Sequence, residues 1–291
     1  MTTRIIATMQ LRSLLFVPGD RPDRFAKAAA SGADAVIFDV EDSVLPDNKP
    51  AARVAIAQWL LGARRPTCFI RINSLDSDDV NADLEMILGC RPDGIVLPKA
   101  LGADTVRQLH EMLGPRCPPI LPIACETPSA VFALGSYGGV ADHLVGLTWG
   151  AEDLPAAIGA EVSRNRDGTY AAPYEMVRAL TLFGAYAAKV AAIETVYPNI
   201  TDMSGLRAYV TRAQPDGFTG IMAIHPSQVA VINAGFSPNQ DQITYARAVI
   251  RAFANNPGTG ALKLNGKMID RPHLKRAEVL LARAGNAEQK L

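Results

Sequence analysis

Apolar residues gather along this chain into short runs, separated by stretches in which apolar positions recur at helical spacing. The runs are RSLLFVPG (12–19), DAVIFDVED (34–42), TCFIRIN (67–73), DGIVLPKA (93–100), PILPIACE (119–126), DHLVGLTWG (142–150), VAAIETVYP (190–198) and GFTGIMAIHP (217–226). Their apolar side chains are nearly continuous rather than alternating, the pattern of parallel strands covered on both faces. Helices are predicted from about Pro22 to Ser31, Pro50 to Leu61, Asn81 to Leu88, Asp104 to Leu113 and Pro128 to Leu134, with a longer helical region ending near Lys189. Eight strand–helix units without a G-x-G-x-x-G turn predict an α/β fold, a closed (β/α)8 TIM barrel. An open doubly wound sheet is the runner-up.

Two more helices follow the eighth unit, about Asn239–Asn255 and Arg271–Ala284. Between them NNPGTGALKLNGKMID (255–270) is Gly-rich without an apolar period, and reads as a mobile arm. The expected domains are therefore 1–254, the barrel, and 255–291, a C-terminal helical arm.

Composition narrows the class. A chain of 291 residues suits one barrel, and 48% hydrophobic residues suffice for a large core. Lys+Arg and Asp+Glu are equal at 29 each, which gives no electrostatic case for nucleic acid or an anionic membrane. No window approaches the ~20 apolar residues of a membrane span. Cys68, Cys90, Cys117 and Cys125 show no C-x-x-C pair and no metal spacing, as expected of thiols in a reducing cytoplasm. The N-terminus lacks a continuous apolar signal segment. A cytoplasmic protein is expected.

In a barrel, chemistry gathers at the C-terminal strand ends. The polar residues there are few. Asp39, Glu41 and Asp42 follow strand two, Arg71 and Asn73 follow three, and Lys99 follows four. Glu126 follows five, Glu152 and Asp153 follow six, Glu194 follows seven and His225 follows eight. A carboxylate ending a buried strand must be neutralised, paired or metal-bound. Glu126 and Asp153 sit one β/α unit apart, so their carboxylates can converge as ligands for a hard cation such as Mg²⁺, with water and substrate oxygens completing the shell. Asp153 and Glu152 serve equally well as acids in a first helical turn. Arg71 is suited to a substrate carboxylate or thioester enolate. Lys99 is either a further substrate contact or a partner for Glu126 or Asp42.

These blocks carry a resemblance. RSLLFVPGDRPDRFAKAAASGADAVIFDVEDSVLPDNK (12–49), FIRIN (69–73), GIVLPKA (94–100), ETPSAV (126–131), WGAEDL (149–154), IHPSQV (224–229) and GKMIDRP (266–272) together resemble the citrate lyase beta subunit family. That family includes malyl-CoA and citramalyl-CoA lyases, within the hydroxy-keto-acid aldolases. The resemblance implies a β/α barrel that uses Mg²⁺ to cleave a C–C bond in an acyl thioester. Glu126 and Asp153 would be metal ligands, Arg71 would bind the substrate or its enolate, and Asp270 would transfer a proton. It implies a homo-oligomer, a trimer or hexamer, in which the arm carrying Asp270 closes over a neighbouring subunit's site. Lys99, Glu152, Lys49 and Arg53 are the further candidates for contacts to a CoA thioester. Ala124, Cys125 and Glu194 depart from the family pattern beside the expected site. The expected reaction yields acetyl-CoA and a 2-oxo acid from malyl-CoA or citramalyl-CoA. The alternatives are a citrate lyase beta subunit acting on citryl-acyl carrier protein, and a non-catalytic binding subunit.

Overall fold

The computed structural model describes residues 9–62, 66–166 and 168–288. Each apolar run becomes a strand: β1 (Ser13–Pro18), β2 (Ala35–Asp39), β3 (Thr67–Arg71), β4 (Gly94–Leu97), β5 (Ile120–Pro122), β6 (Gly146–Leu147), β7 (Ala191–Glu194) and β8 (Gly220–Ala223). Neighbours pair in parallel in the order β5-β4-β3-β2-β1-β8-β7-β6. The two ends meet through parallel bridges Ile120–Leu144 and Ile123–Thr148. Val145 N–H donates to Ile120 O at 2.9 Å and Ala124 N–H to Thr148 O at 2.7 Å. The sheet therefore closes into the (β/α)8 barrel, and the open-sheet alternative falls away. Closure leaves no long unpaired edge.

Around it run α1 (Phe25–Ala29), α2 (Lys49–Leu60), α3 (Val80–Cys90), α4 (Ala103–Leu113), α5 (Pro128–Ala133), α6 (Asp153–Ile158), α7 (Ala172–Ala187), α8 (Met203–Asp216) and α9 (Pro226–Phe236). The region ending near Lys189 proves to be two helices, α6 and α7. The sequence reading did not delimit α8, although it buries Leu206, Tyr209, Val210 and Ala213 at i, i+3, i+4 and i+7.

The barrel interior is filled by side chains from every wall. Leu14, Ala35, Ile37, Phe69, Val96, Leu121, Val145, Ile193 and Met222 form one buried cluster. Phe69 reaches across to β4, where a Cβ on Gly94 would lie 2.1 Å from its ring. A glycine is required there by packing. Strand side chains alternate faces, so the inward rows Ala35–Ile37 and Phe69 continue upward to Asp39 and Arg71. Parity alone places these two polar groups at the barrel's C-terminal mouth, and β2–β3 register sets Asp39 beside Arg71.

The chain divides into two compact units, 1–233 and 234–291. The second contains α10 (Gln240–Ala254), strands β9 (Ala261–Leu264) and β10 (Lys267–Asp270), and α11 (Arg271–Glu288). It begins ahead of residue 255 because α10 belongs to its core: Ala246 and Val249 pack with Ile269 and Ala277. The stretch read as an irregular arm holds an antiparallel hairpin pairing Leu264 with Lys267. Its Asn265-Gly266 turn has φ of 49° and 78°, the left-handed pair that a two-residue hairpin turn demands. Among the described residues no helix is long and apolar enough to cross a membrane.

Candidate active site

The site grows from the strand ends. Asp39, 1% exposed, receives Arg71 in a bidentate grip, Nε to Oδ1 and Nη2 to Oδ2, each at 2.7 Å. Arg71 Nη1 lies 2.9 Å from Oε2 of Glu41, itself buried. The Phe16 ring lies beneath, 5.0 Å from the guanidinium carbon. Burial raises the Asp39 carboxyl's affinity for a proton, but the Arg71 contact and its hydrogen bonds more than offset this and leave the pKa below the usual value. Arg71 stays protonated: burial opposes its charge, and Asp39 and Glu41 outweigh burial. Its two hydrogen bonds to Asp39 use two of five N–H donors, which leaves donors for a substrate oxygen.

Glu41 also accepts from Nζ of Lys99 at 2.8 Å, so one carboxylate bridges two cations. Burial still dominates and raises its pKa despite Arg71 and Lys99. The backbone N–H of Lys99 donates to Oε2 of Glu126. Glu126 is 3% exposed, and its carboxyl is pushed up to about 8. The first cause is burial; the nearby charges of Glu41 and Asp153 add to it, while the Lys99 amide and Arg71 oppose it.

Local structure explains why Glu126 ends up there. Thr127 caps α5, its hydroxyl accepting from Ala130 N–H at 3.3 Å, and Pro128 occupies the first helical turn. The segment that follows β5 therefore turns into α5 directly after Glu126 and leaves it at the rim. After β6 the chain passes close enough that a Cβ on Gly150 would meet Cγ of Glu126 at 2.7 Å. Asp153 opens α6, where the helix N-terminus favours its charge.

The structure thus brings together Glu126, Asp153, Lys99 and Arg71 from the predicted set. The others lie elsewhere. Lys49 Nζ binds Asn73 Oδ1 and, at 3.1 Å, Asp79 Oδ2; Arg53 holds Asp83 and Asp79, each at 2.7 Å. Their charges are already met in an α2–α3 network. Glu152 is exposed and lines a separate groove with Pro155, Glu161 and Arg164. Asp270 belongs to the second compact unit, where its Oδ1 lies 2.5 Å from Nδ1 of His273, and that bond lowers its pKa. Glu194 faces outward, one residue past the inward Ile193. It accepts from Trp149 Nε1 at 2.6 Å and Arg178 Nε at 2.5 Å, a buried structural pair. His225 is exposed and bonds Ser227 Oγ at the start of α9. Asp39, Glu41 and Gly150 were missed as site members; the parity of strand two pointed to Asp39.

A groove of about 430 Å³ opens at the mouths of β1 and β8, lined by Phe16, Pro18, Arg24, Lys27, Ile224 and His225. Its floor is apolar, and Arg24 and Lys27 are exposed.

Residues 12–226 match the HpcH/HpaI aldolase/citrate lyase family, and the chain belongs to that family. A citrate lyase subunit beta-like protein of Mycobacterium tuberculosis is 38% identical over 94% of this chain and 95% of its own length. From Cereibacter sphaeroides, a (3S)-malyl-CoA thioesterase is 32% identical and an L-malyl-CoA/beta-methylmalyl-CoA lyase 29% identical, each covering 94% of both chains. The crystal structure of protein CitE from Mycobacterium tuberculosis with magnesium, acetoacetate and coenzyme A superposes with a TM-score of 0.82 at 36% identity, over 94% of this chain and 98% of that one.

Proposed function

We propose that this chain is a Mg²⁺-dependent lyase that cleaves a 3-hydroxy-3-carboxyacyl thioester of the malyl-CoA or citramalyl-CoA type. The products are acetyl-CoA and a 2-oxo acid, glyoxylate or pyruvate. The observation that carries the reading is Glu126: a buried carboxyl at the barrel mouth, raised by burial and by two more acids, with one backbone amide as its hydrogen-bond partner among the described residues. Arg71 and Lys99 stand near it, but among the described residues their ion pairs go to Asp39, Glu41 and Asp42, so its charge is left for a further cation to balance. Glu126 and Asp153 would hold it, with water and substrate oxygens filling the other positions, as Mg²⁺ prefers. When bound, Mg²⁺ supplies the charge that steadies the substrate's hydroxyl and carboxylate oxygens and lowers the hydroxyl pKa.

The chain's own groups do the rest. Arg71, already fixed by Asp39 and Glu41, meets the thioester oxygen as the C–C bond breaks and its electron pair moves onto the enolate. Preorganisation matters here, because no rearrangement is needed when charge develops. In the condensation direction ionised Asp270 takes a proton from acetyl-CoA; in cleavage the substrate's hydroxyl proton passes to solvent and Asp270, once protonated, gives the enolate carbon its proton. It does so from an arm of a neighbouring copy, in a trimer or hexamer. Pairing with His273 keeps Asp270 ionised to lower pH, which suits the condensation direction. Arg24 and Lys27 are better placed for the CoA phosphates than Lys49 and Arg53, whose charges are engaged. A CoA substrate fits a cytoplasmic enzyme.

The thioesterase relative supports a second reading, hydrolysis of the same thioester to free CoA, and the citrate lyase beta-like relative a third, a carrier-protein thioester. One experiment separates them: malyl-CoA and citramalyl-CoA turnover with Mg²⁺ and with EDTA, on wild type and Glu126→Ala. Metal-dependent release of acetyl-CoA with a 2-oxo acid, lost in the variant, supports the lyase. Free CoA with the intact hydroxy acid identifies the hydrolase. No turnover of either ester by the Mg²⁺-bound protein sinks both and favours the carrier-protein substrate.

A further inference from the structure

Four non-glycine residues among those described hold a positive φ: Arg91 (49°), Lys99 (51°), Lys189 (59°) and Asn265 (49°). Three have a local cause. Arg91 is the left-handed C-cap of α3, Lys189 follows the last turn of α7 with its N–H on Tyr186 O, and Asn265 opens the hairpin turn. Lys99 ends no helix and turns no hairpin; it follows Pro98 in a turn whose left-handed position glycine or asparagine usually fills, not lysine. It stands two residues past β4, at the barrel mouth. A side chain with a Cβ is strained in this conformation, and such strain persists only where the surroundings enforce it.

Two contacts show what Lys99 does there. Its backbone N–H points to Oε2 of Glu126, and Nζ reaches Oε1 of Glu41 at 2.8 Å. An ordinary backbone at this turn would swing the amide away from Glu126. The terminal torsion of a glutamate is broad, so its carboxylate plane is set by whatever bonds it. Here that is the Lys99 amide, with the β6 chain at Gly150 against Cγ on the other side.

We propose that Lys99 is a positioning residue: its left-handed backbone aims an amide at Glu126, and its bridge to Glu41 locks that backbone in place. The Glu126 carboxylate would thereby be held in place for a cation. The inference rests on the reading of Glu126 as a cation ligand, and it differs from a substrate contact because it operates with no substrate present.

Glycine and alanine at position 99 separate backbone from side chain. Both remove the ammonium, but only glycine adopts a left-handed φ without strain. The experiment is Mg²⁺ titration calorimetry of the full-length protein without substrate, on wild type, Lys99→Gly, Lys99→Ala and Glu126→Gln. Lys99→Gly is expected to bind within about threefold of wild type. Lys99→Ala, left with a Cβ and no anchor, relaxes and binds roughly tenfold more weakly. If Lys99→Ala does not fold, Glu41→Gln substitutes for it: its loss of affinity should be larger in the wild-type background than in Lys99→Gly, because only the former has an anchor to lose. Equal affinities for Lys99→Gly and Lys99→Ala overturn the proposal while leaving Glu126 as a ligand. Equal losses from Glu41→Gln in both backgrounds overturn it too. A wild type without Mg²⁺ binding that Glu126→Gln abolishes overturns both readings together.

Discussion

Glu126 is a carboxyl that its own protein keeps from ionising, and this has a measurable consequence. Its folded-state pKa, about 8, lies above the ordinary glutamate value, so the metal-free fold binds an extra proton relative to the unfolded chain. That contribution to stability is complete below the unfolded pKa and is lost as pH rises toward 8, at no more than about 1.4 kcal/mol per pH unit. Metal-free protein should therefore soften between about pH 5 and 8 in denaturant melts, and Mg²⁺ should suppress the trend. A pH-independent melt over that window would contradict the raised pKa. Gly150 offers a second check at the same scale. Gly150→Ala places a Cβ against Cγ of Glu126, so Mg²⁺ affinity should fall at least tenfold, by calorimetry, with about 1–3 kcal/mol of stability lost to overpacking.

At the scale of elements, strand parity sorts the polar residues into those that face chemistry and those that hold the wall. Asp39 and Arg71 continue inward rows, whereas Glu194 follows the inward Ile193 and so faces α7. There it meets Arg178, which also binds Asp216 at 2.7 Å. Arg178→Met should cost about 3–5 kcal/mol of unfolding free energy by urea titration, because it strands a buried carboxylate. A loss below 1 kcal/mol would mean that Trp149 and the Thr195 amide suffice for Glu194. On the hairpin side, His273 lies one helical turn beyond Asp270. His273→Ala should return the Asp270 carboxyl toward its ordinary value and move the acid limb of the pH–rate profile to higher pH. An unmoved limb would separate Asp270 from the proton transfer.

At the scale of the whole molecule, Glu126 and Asp270 lie on different compact units. The proposed assembly places them in one site by drawing each from a different copy. Glu126→Gln and Asp270→Asn would then be inactive alone but complementary when co-assembled. Equal mixing should restore roughly a quarter of wild-type activity, since each site draws its two residues independently. No recovery in verified mixed oligomers would mean that each copy supplies both residues.

What the sequence determined by itself was set by local chemistry. Eight buried-type runs gave eight strands, Thr127-Pro128 gave the break that leaves Glu126 at a rim, and the strand-end census gathered Glu126, Asp153, Arg71 and Lys99. It also contained two signals that went unread, the Asn265-Gly266 turn and the parity that carries Asp39 inward. Only tertiary structure decided which charges were engaged. Lys49 and Arg53 look as available in the sequence as Arg24 and Lys27, but their carboxylate partners lie 26 to 30 residues away, on and just before another helix. The left-handed turn at Lys99 was also beyond the sequence, because a lysine carries no local preference for it. Pro98 opens the turn, but the contacts that hold a lysine in it come from Glu41 and Glu126, at two other strand ends.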